Sequence, residues 1–145
     1  MTDQRRRLEG LTPQESMSLL GSVSMGRIVF TARALPAVRL VSHLVDEDHV
    51  VIRADSGAAI TSSLKAEVGT VVAYEADAID PADHLGWSVT IVGLAHRVTD
   101  PAAAGAFRRA LRHWSADGND QVISISPGTV TGFRLVAEDT AKVSE

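Results

Sequence analysis

Alternation of apolar and polar positions marks out strands along this chain, and it is clearest from Ala37 to Arg53, A-V-R-L-V-S-H-L-V-D-E-D-H-V-V-I-R. Two strands joined by a tight acidic turn fit the stretch. Side chains of a strand alternate between faces. Val38, Leu40, Ser42 and Leu44 therefore share one side, and Arg39, Val41, His43 and Val45 the other. With Asp46, Glu47 and Asp48 as a three-residue loop, Val45 faces His49, His43 faces Val51, Val41 faces Arg53 and Arg39 faces Asp55. Arg39, His43 and Arg53 then line one surface. A loop longer or shorter by one residue would reverse the parity of the second strand and carry Arg53 to the other face.

The remaining pattern places the other elements around this hairpin. Residues 1–10 read as a solvated, disordered arm, 11–137 as one domain and 138–145 as a frayed tail. Thr12-Pro13-Gln14-Glu15 supplies a helix start, with Thr12 as N-cap, Pro13 at the first helical position and Glu15 completing a capping box. That helix should run to about Leu20, packing through Met17, Leu19 and Leu20, with Gly21 ending it. A strand over Ser24 to Thr31 puts Ile28 and Phe30 on one face and Arg27 and Val29 on the other. After Arg53 come a turn and a short helix carrying Ile60 and Leu64 on one face. Thr70 to Asp77 and Trp87 to Val98 are strands, the second interrupted by Gly93, which marks a bulge or a close backbone approach. Asp100-Pro101 opens a helix to about His113, with Phe107, Ala110, Leu111 and Trp114 as its inward stripe. Gln121 to Ser126 and Thr129 to Val136 close the set around Pro127-Gly128. Six or seven strands joined mostly by short turns imply antiparallel neighbours, and closing such a sheet removes its edges. The fold class is mainly β with a few short helices, in a small antiparallel barrel.

Composition narrows the function. In 145 residues there is no cysteine, which excludes disulfides, thiolate metal sites and cysteine nucleophiles, and suits a reducing cytoplasm. A net charge of -4 argues against nucleic-acid or anionic-membrane surfaces. No apolar run approaches the length of a membrane span. The five histidines, His43, His49, His84, His96 and His113, are scattered without metal-ligand spacing, and neither a Walker A loop nor G-x-G-x-x-G follows a strand.

Four features carry candidate chemistry. Arg39 and Arg53 on adjacent strands could hold a phosphate, since guanidinium groups bind such anions bidentately. The Asp55-Ser56-Gly57 turn, opening a helix, is either a phosphate cradle or a capped connector. Trp87 and Ser88 follow Gly86 at a strand start, where the indole serves as core or as cover for a planar ligand or partner, and Ser88 can donate to an anion. Glu75 and Asp77 share one face of their strand and form an acid pair.

Five segments together give a resemblance: G-R-I-V-F-T at Gly26 to Thr31, L-P-A-V-R-L-V-S-H-L-V-D at Leu35 to Asp46, V-V-I-R-A at Val50 to Ala54, V-A-Y-E-A-D at Val72 to Asp77 and G-W-S-V-T-I-V-G at Gly86 to Gly93. In order and spacing, over about Thr12 to Leu135, the chain resembles the flavin-binding split barrels related to pyridoxamine 5′-phosphate oxidase. The resemblance implies a homodimer of six-stranded antiparallel split β-barrels with FMN sites at the interface, and a flavin-dependent oxidoreductase acting on a small-molecule substrate by hydride transfer at N5. Related split barrels use FAD, a deazaflavin coenzyme or haem instead, and some lack demonstrated catalysis, so the alternative expectation is a non-catalytic flavin-binding or flavin-storing protein. Carried over by position, Arg39 lies toward the phosphate, Val41, Ser42 and His43 run along the cofactor, Arg53 and Ala54 form the next strand's contacts, and Trp87 and Ser88 meet it from a later strand. Many relatives place Lys or Arg just after the glycine of the turn, where this chain has Gly57-Ala58-Ala59. Phosphate recognition then rests on Arg39, Arg53 and backbone N–H groups, or the bound molecule differs.

Overall fold

A computed structural model describes residues 5–55, 60, 64, 69–111 and 120–138. The elements are β1 (Arg6–Leu11), α1 (Pro13–Gly21), β2 (Met25–Ala32), β3 (Leu35–Asp46), β4 (His49–Asp55), β5 (Thr70–Ile79), β6 (Gly86–Arg97), α2 (Pro101–Ala110) and β7 (Asp120–Ala137). Every strand pairing is antiparallel, in the order β1-β7-β4-β3-β2-β5-β6, and a further β6–β7 pairing closes six strands into a ring with β1 added outside it. This is the expected six-stranded split barrel. Closure leaves the ring strands few free edges. Among the described residues no helix is long and apolar enough to cross a membrane.

The barrel interior is filled by alternate residues of each strand, among them Ile28, Val50, Ile52, Tyr74, Ile91 and Ile123, each fully buried. Burying one such aliphatic side chain contributes about 1.5–3 kcal/mol. Helix α1 stops one end. Its capping box is present as expected: the Glu15 N–H donates to Thr12 Oγ1 at 3.1 Å, and the Thr12 N–H donates to Glu15 Oε1 at 3.0 Å. Leu20 and Ser16 point inward, and Gly132 of β7 has no Cβ because one there would collide with Ser16. Helix α2, capped by Asp100, covers the outside of β4 and β7 through Ala104, Phe107 and Leu111 against Val51 and Val122.

Three details depart from expectation. The segment before Leu11 is solvated but ordered, since β1 pairs with the last third of β7 and Arg6 donates to the Asp83 carbonyl. The two closing strands are one 18-residue β7 with a bulge: Val92 pairs with Thr129 and Gly93 with Pro127, so Gly128 is skipped. A Cβ on Gly93 would run into the Ser126 carbonyl, the close approach its position suggested. On α2, Ala110 is exposed and Ala104 takes the buried place. Trp114, the Ser56-Gly57 turn and most of the helix expected after it lie outside the described residues, as does the tail from 139, although Ile60 is buried in the core and Leu64 packs on it.

Candidate functional site

The register of the central hairpin decides where the candidate residues go. The β3–β4 connection is a two-residue turn, with Glu47 (φ 47°) and Asp48 (φ 66°) both left-handed, so Asp46 pairs with His49 and Ser42 with Arg53. Consecutive left-handed residues are the backbone of a type I′ turn. The loop is thus one residue shorter than the expected one, and the parity of β4 is reversed. Arg53 does not share a surface with Arg39 and His43; it stands outside the barrel, beside Ser42 and beneath α2.

There Arg53 has partners of its own. Its guanidinium pairs with Asp120 and donates to the carbonyls of Arg108 (3.0 Å) and Leu111 (3.4 Å), gathering the last turn of α2. The Asp120 side chain is 1 % exposed, and Arg108 is its second cation at 3.4 Å. Burial, then the Arg108 charge, lowers the pKa of Arg53. An outside anion would have to draw Arg53 away from a buried carboxylate.

His43 is interior. Its Nε2–H donates to the Leu20 carbonyl at 2.8 Å, which leaves Nδ1 as acceptor for the Tyr74 hydroxyl at 2.5 Å. The two rings meet edge to face. Burial holds the imidazole below its usual pKa, so it is neutral, and burial together with the nearby Glu75 charge pushes the Tyr74 phenol up. Gly26 is required opposite, because a Cβ there would lie 2.5 Å from the Tyr74 hydroxyl. Val41, Ala54 and Trp87 are also buried in the core, and Ser42 is buried on the outer side. Ser88 is half-buried on the outer face, across from Asp77.

Arg39 alone among the candidates is exposed. It lies in the first half of β3, which pairs with β2 throughout, whereas β4 pairs only from Ser42 onward. Among the described residues no strand covers the other edge of Leu35 to Val41, so the barrel is split here, with backbone N–H and C=O groups along the gap. Arg39 donates to the Val38 carbonyl at 2.9 Å, and no described carboxylate pairs with it. Val38 and Leu40 on either side are 52 % and 55 % exposed. Among the described residues the structure thus leaves a cation without a carboxylate partner beside an open strand edge, with the apolar Val38 and Leu40 on the opposite face of the same strand. A second opening, a cleft of about 670 Å³, lies against Ser22, Met25, Leu44 and Asp77, with His43 at its wall.

Sequence reasoning found the acid pair but not its partner. Arg27 of β2 reaches Glu75 at 3.1 Å and Asp77 at 3.6 Å. Its outward parity was legible; that β2 lies beside β5 was not, because the two strands are separated by the whole central hairpin. Asp120 had no signal, since its partners come from β4 and α2.

The chain matches the family model described as pyridoxamine 5′-phosphate oxidase over residues 12–144. It is 44% identical over 135 residues to the uncharacterized protein Rv0080 of Mycobacterium tuberculosis, covering 92% of this chain and 89% of that one. Among solved structures it is similar to the FAD binding protein from Mycobacterium smegmatis, at 31% identity and a TM-score of 0.70, over 87% of this chain and 98% of that one. An FAD-binding protein of Mesorhizobium loti shares the fold, with a TM-score of 0.73 at 16% identity, over 91% and 99% of the respective chains.

Proposed function

The chain belongs to the pyridoxamine 5′-phosphate oxidase family, and from that premise we propose that it binds a flavin between two copies of itself and acts as an oxidoreductase on a small-molecule substrate. The observation that carries the reading is the 31% identity to a solved FAD-binding protein across nearly that protein's whole length. The residues at the split fit such a group. Arg39, which no described carboxylate pairs with, offers a phosphate its remaining N–H donors, and the open edge of β3 offers main-chain groups to the polar rim of a planar ring. FMN and FAD share the ring and the first phosphate, and this site addresses those parts.

A bound flavin supplies hydride transfer at N5. The chain's part is to hold and orient it. Buried Val41, His43, Ala54 and Trp87 form the barrel wall behind the site, and the His43–Tyr74 bond keeps β3 fixed against β5 and the end of α1. Pairing of copies is supported by the outer face of β2, β5 and β6, where Val71, Val92 and Leu94 are 65 %, 42 % and 40 % exposed beside Val38 and Leu40 of β3. Contiguous exposed apolar surface of this kind marks an interaction site.

The absorption spectrum of the purified protein tests the reading, and mass analysis of the released cofactor separates FMN, FAD and a deazaflavin. Bleaching by NAD(P)H followed by reoxidation with a substrate supports the oxidoreductase; a bound flavin that no nicotinamide reduces leaves storage. A protein that neither carries nor takes up a flavin overturns both. Within this reading Arg39→Ala should weaken flavin binding about 10- to 150-fold, the value of one charge-assisted phosphate bond of roughly 1.5–3 kcal/mol. Titration of flavin into the folded variant measures it.

A further inference from the structure

The acid pair sits in the middle of the face proposed for pairing. Glu75 and Asp77 project outward from β5, and the single Arg27 guanidinium serves both. With both carboxylates ionised the cluster carries one uncompensated negative charge. The strands alongside add none that could balance it. Leu40 of β3 lies opposite Arg27, while Thr90 and Ser88 of β6 lie opposite Glu75 and Asp77. Toward the end of β3 the same face continues in Val38, Val29, Ala73 and Val92, a row made entirely of apolar side chains.

In a two-fold pair each copy meets the same surface on its partner. Brought against the apolar row or against its own copy across the two-fold axis, the cluster meets no balancing charge, since the row has none and the copy carries the same surplus; His96, the other titratable group of this face, stands at the far end of β6 beyond Leu94. Covering an unbalanced carboxylate costs several kcal/mol unless a proton neutralises it. We propose that joining two copies of this chain through the β2–β5–β6 face takes up a proton on each Glu75–Asp77 pair, so that the pair tightens as pH falls through neutrality. The inference rests on the pairing reading above and adds its regulation. The single chain already leans this way: burial, followed by the hydrogen bond with and the charge of Asp77, pushes the Glu75 carboxyl up to about 7 despite Arg27. Further cover raises it again, so the pair binds more protons than the separated copies. Binding of protons on association favours association at low pH.

The test is the dissociation constant of the full chain measured by dilution between pH 6 and 8.5, with fluorescence-detected subunit exchange reading the same dependence where the pair is too tight to dilute apart. The constant should rise at least about threefold per pH unit, within a ceiling of about 100-fold per unit for one proton per copy. Glu75→Gln keeps a hydrogen-bond acceptor for Arg27 and removes the titrating charge. Its constant should be flat with pH and, at pH 8, at least as tight as that of the unmodified chain at pH 6. Asp77→Asn should flatten the profile in the same way, with circular dichroism confirming that both variants fold. Pairs whose strength is independent of pH, or a Glu75→Gln profile as steep as the original, would overturn the proton linkage while leaving the pairing in place. A chain that stays monomeric at every pH would overturn the pairing reading and this inference together.

Discussion

Arg53 shows how much a single residue's meaning depends on what stands across from it. On the sequence it is a cation at a strand end before a Ser-Gly turn, and a phosphate ligand is a reasonable reading of that. In the fold it is the partner of Asp120, whose side chain is 1 % exposed, and the tie for the last carbonyls of α2. Removing one member of a buried ion pair strands the other. Arg53→Ala should therefore lower stability by about 3–5 kcal/mol, less whatever Arg108 recovers by moving toward Asp120. Urea unfolding followed by circular dichroism would show it, and a loss below about 0.5 kcal/mol would mean that Asp120 has been left solvated rather than buried. Arg39 has no described carboxylate beside it, so its truncation should be silent in the same assay. The opposite fates of two arginines on neighbouring strands were not legible because Asp120 is brought to Arg53 by the pairing of β4 with β7, a long-range event with no local trace.

At the scale of elements, periodicity located β2 to β6, both capped helices and the Gly93 irregularity within a few residues, since each of these is decided by neighbours in sequence, but it missed β1 and cut β7 in two. What it misjudged was turn length. Type I′ turns favour Asn and Gly because both central residues are left-handed. This chain instead builds such turns from Glu47-Asp48 and from Arg33-Ala34, whose φ angles are 52° and 63°. With no Asn-Gly to announce a two-residue turn, the acidic triplet reads as a three-residue loop, and the parity of β4 follows from that error. The same observation makes Ala34 an unrelieved site of backbone strain, since alanine has no side-chain hydrogen bond to offset a left-handed conformation that costs roughly 1–2 kcal/mol. Ala34→Gly removes the Cβ clash and gives back part of the gain through the freer unfolded chain. A net stabilisation of about 0.5–1 kcal/mol is expected, read as a higher urea midpoint at unchanged slope. A lower midpoint would show that the turn tolerates alanine without strain.

For the whole molecule the informative feature is a sheet that, away from the Arg27–Glu75–Asp77 cluster and the neighbouring Ser88 and Thr90, is apolar on both sides. An antiparallel barrel with one face to water should alternate, with polar residues outside. On β5, Val72 and Tyr74 fill the interior while Val71 and Ala73 face outward, and on β6 Val89 and Ile91 are inside with Val92 and Leu94 outside. Helix α2 covers the β4–β7 side, and among the described residues no element covers the β2–β5–β6 side. The outward row Val38, Val29, Ala73, Val92 follows the pairing register across four strands, so a flat partner surface would meet all four at once. Val92 is the position at which to break such a contact without touching the barrel, because its side chain points away from the interior and is 42 % exposed. Val92→Asp should leave the monomer folded while placing a carboxylate, with no cation in its row, into the seam. Burying an unpaired charge costs several kcal/mol, so the dissociation constant of the pair should rise by about 100-fold or more. Val92→Thr, close in volume and uncharged, should change it far less. Sedimentation velocity across a concentration series measures both variants, and flavin absorbance in the same cell reads whether the cofactor leaves as the copies separate. If Val92→Asp pairs as tightly as the original chain, the seam lies elsewhere on the surface and the apolar row has another occupant.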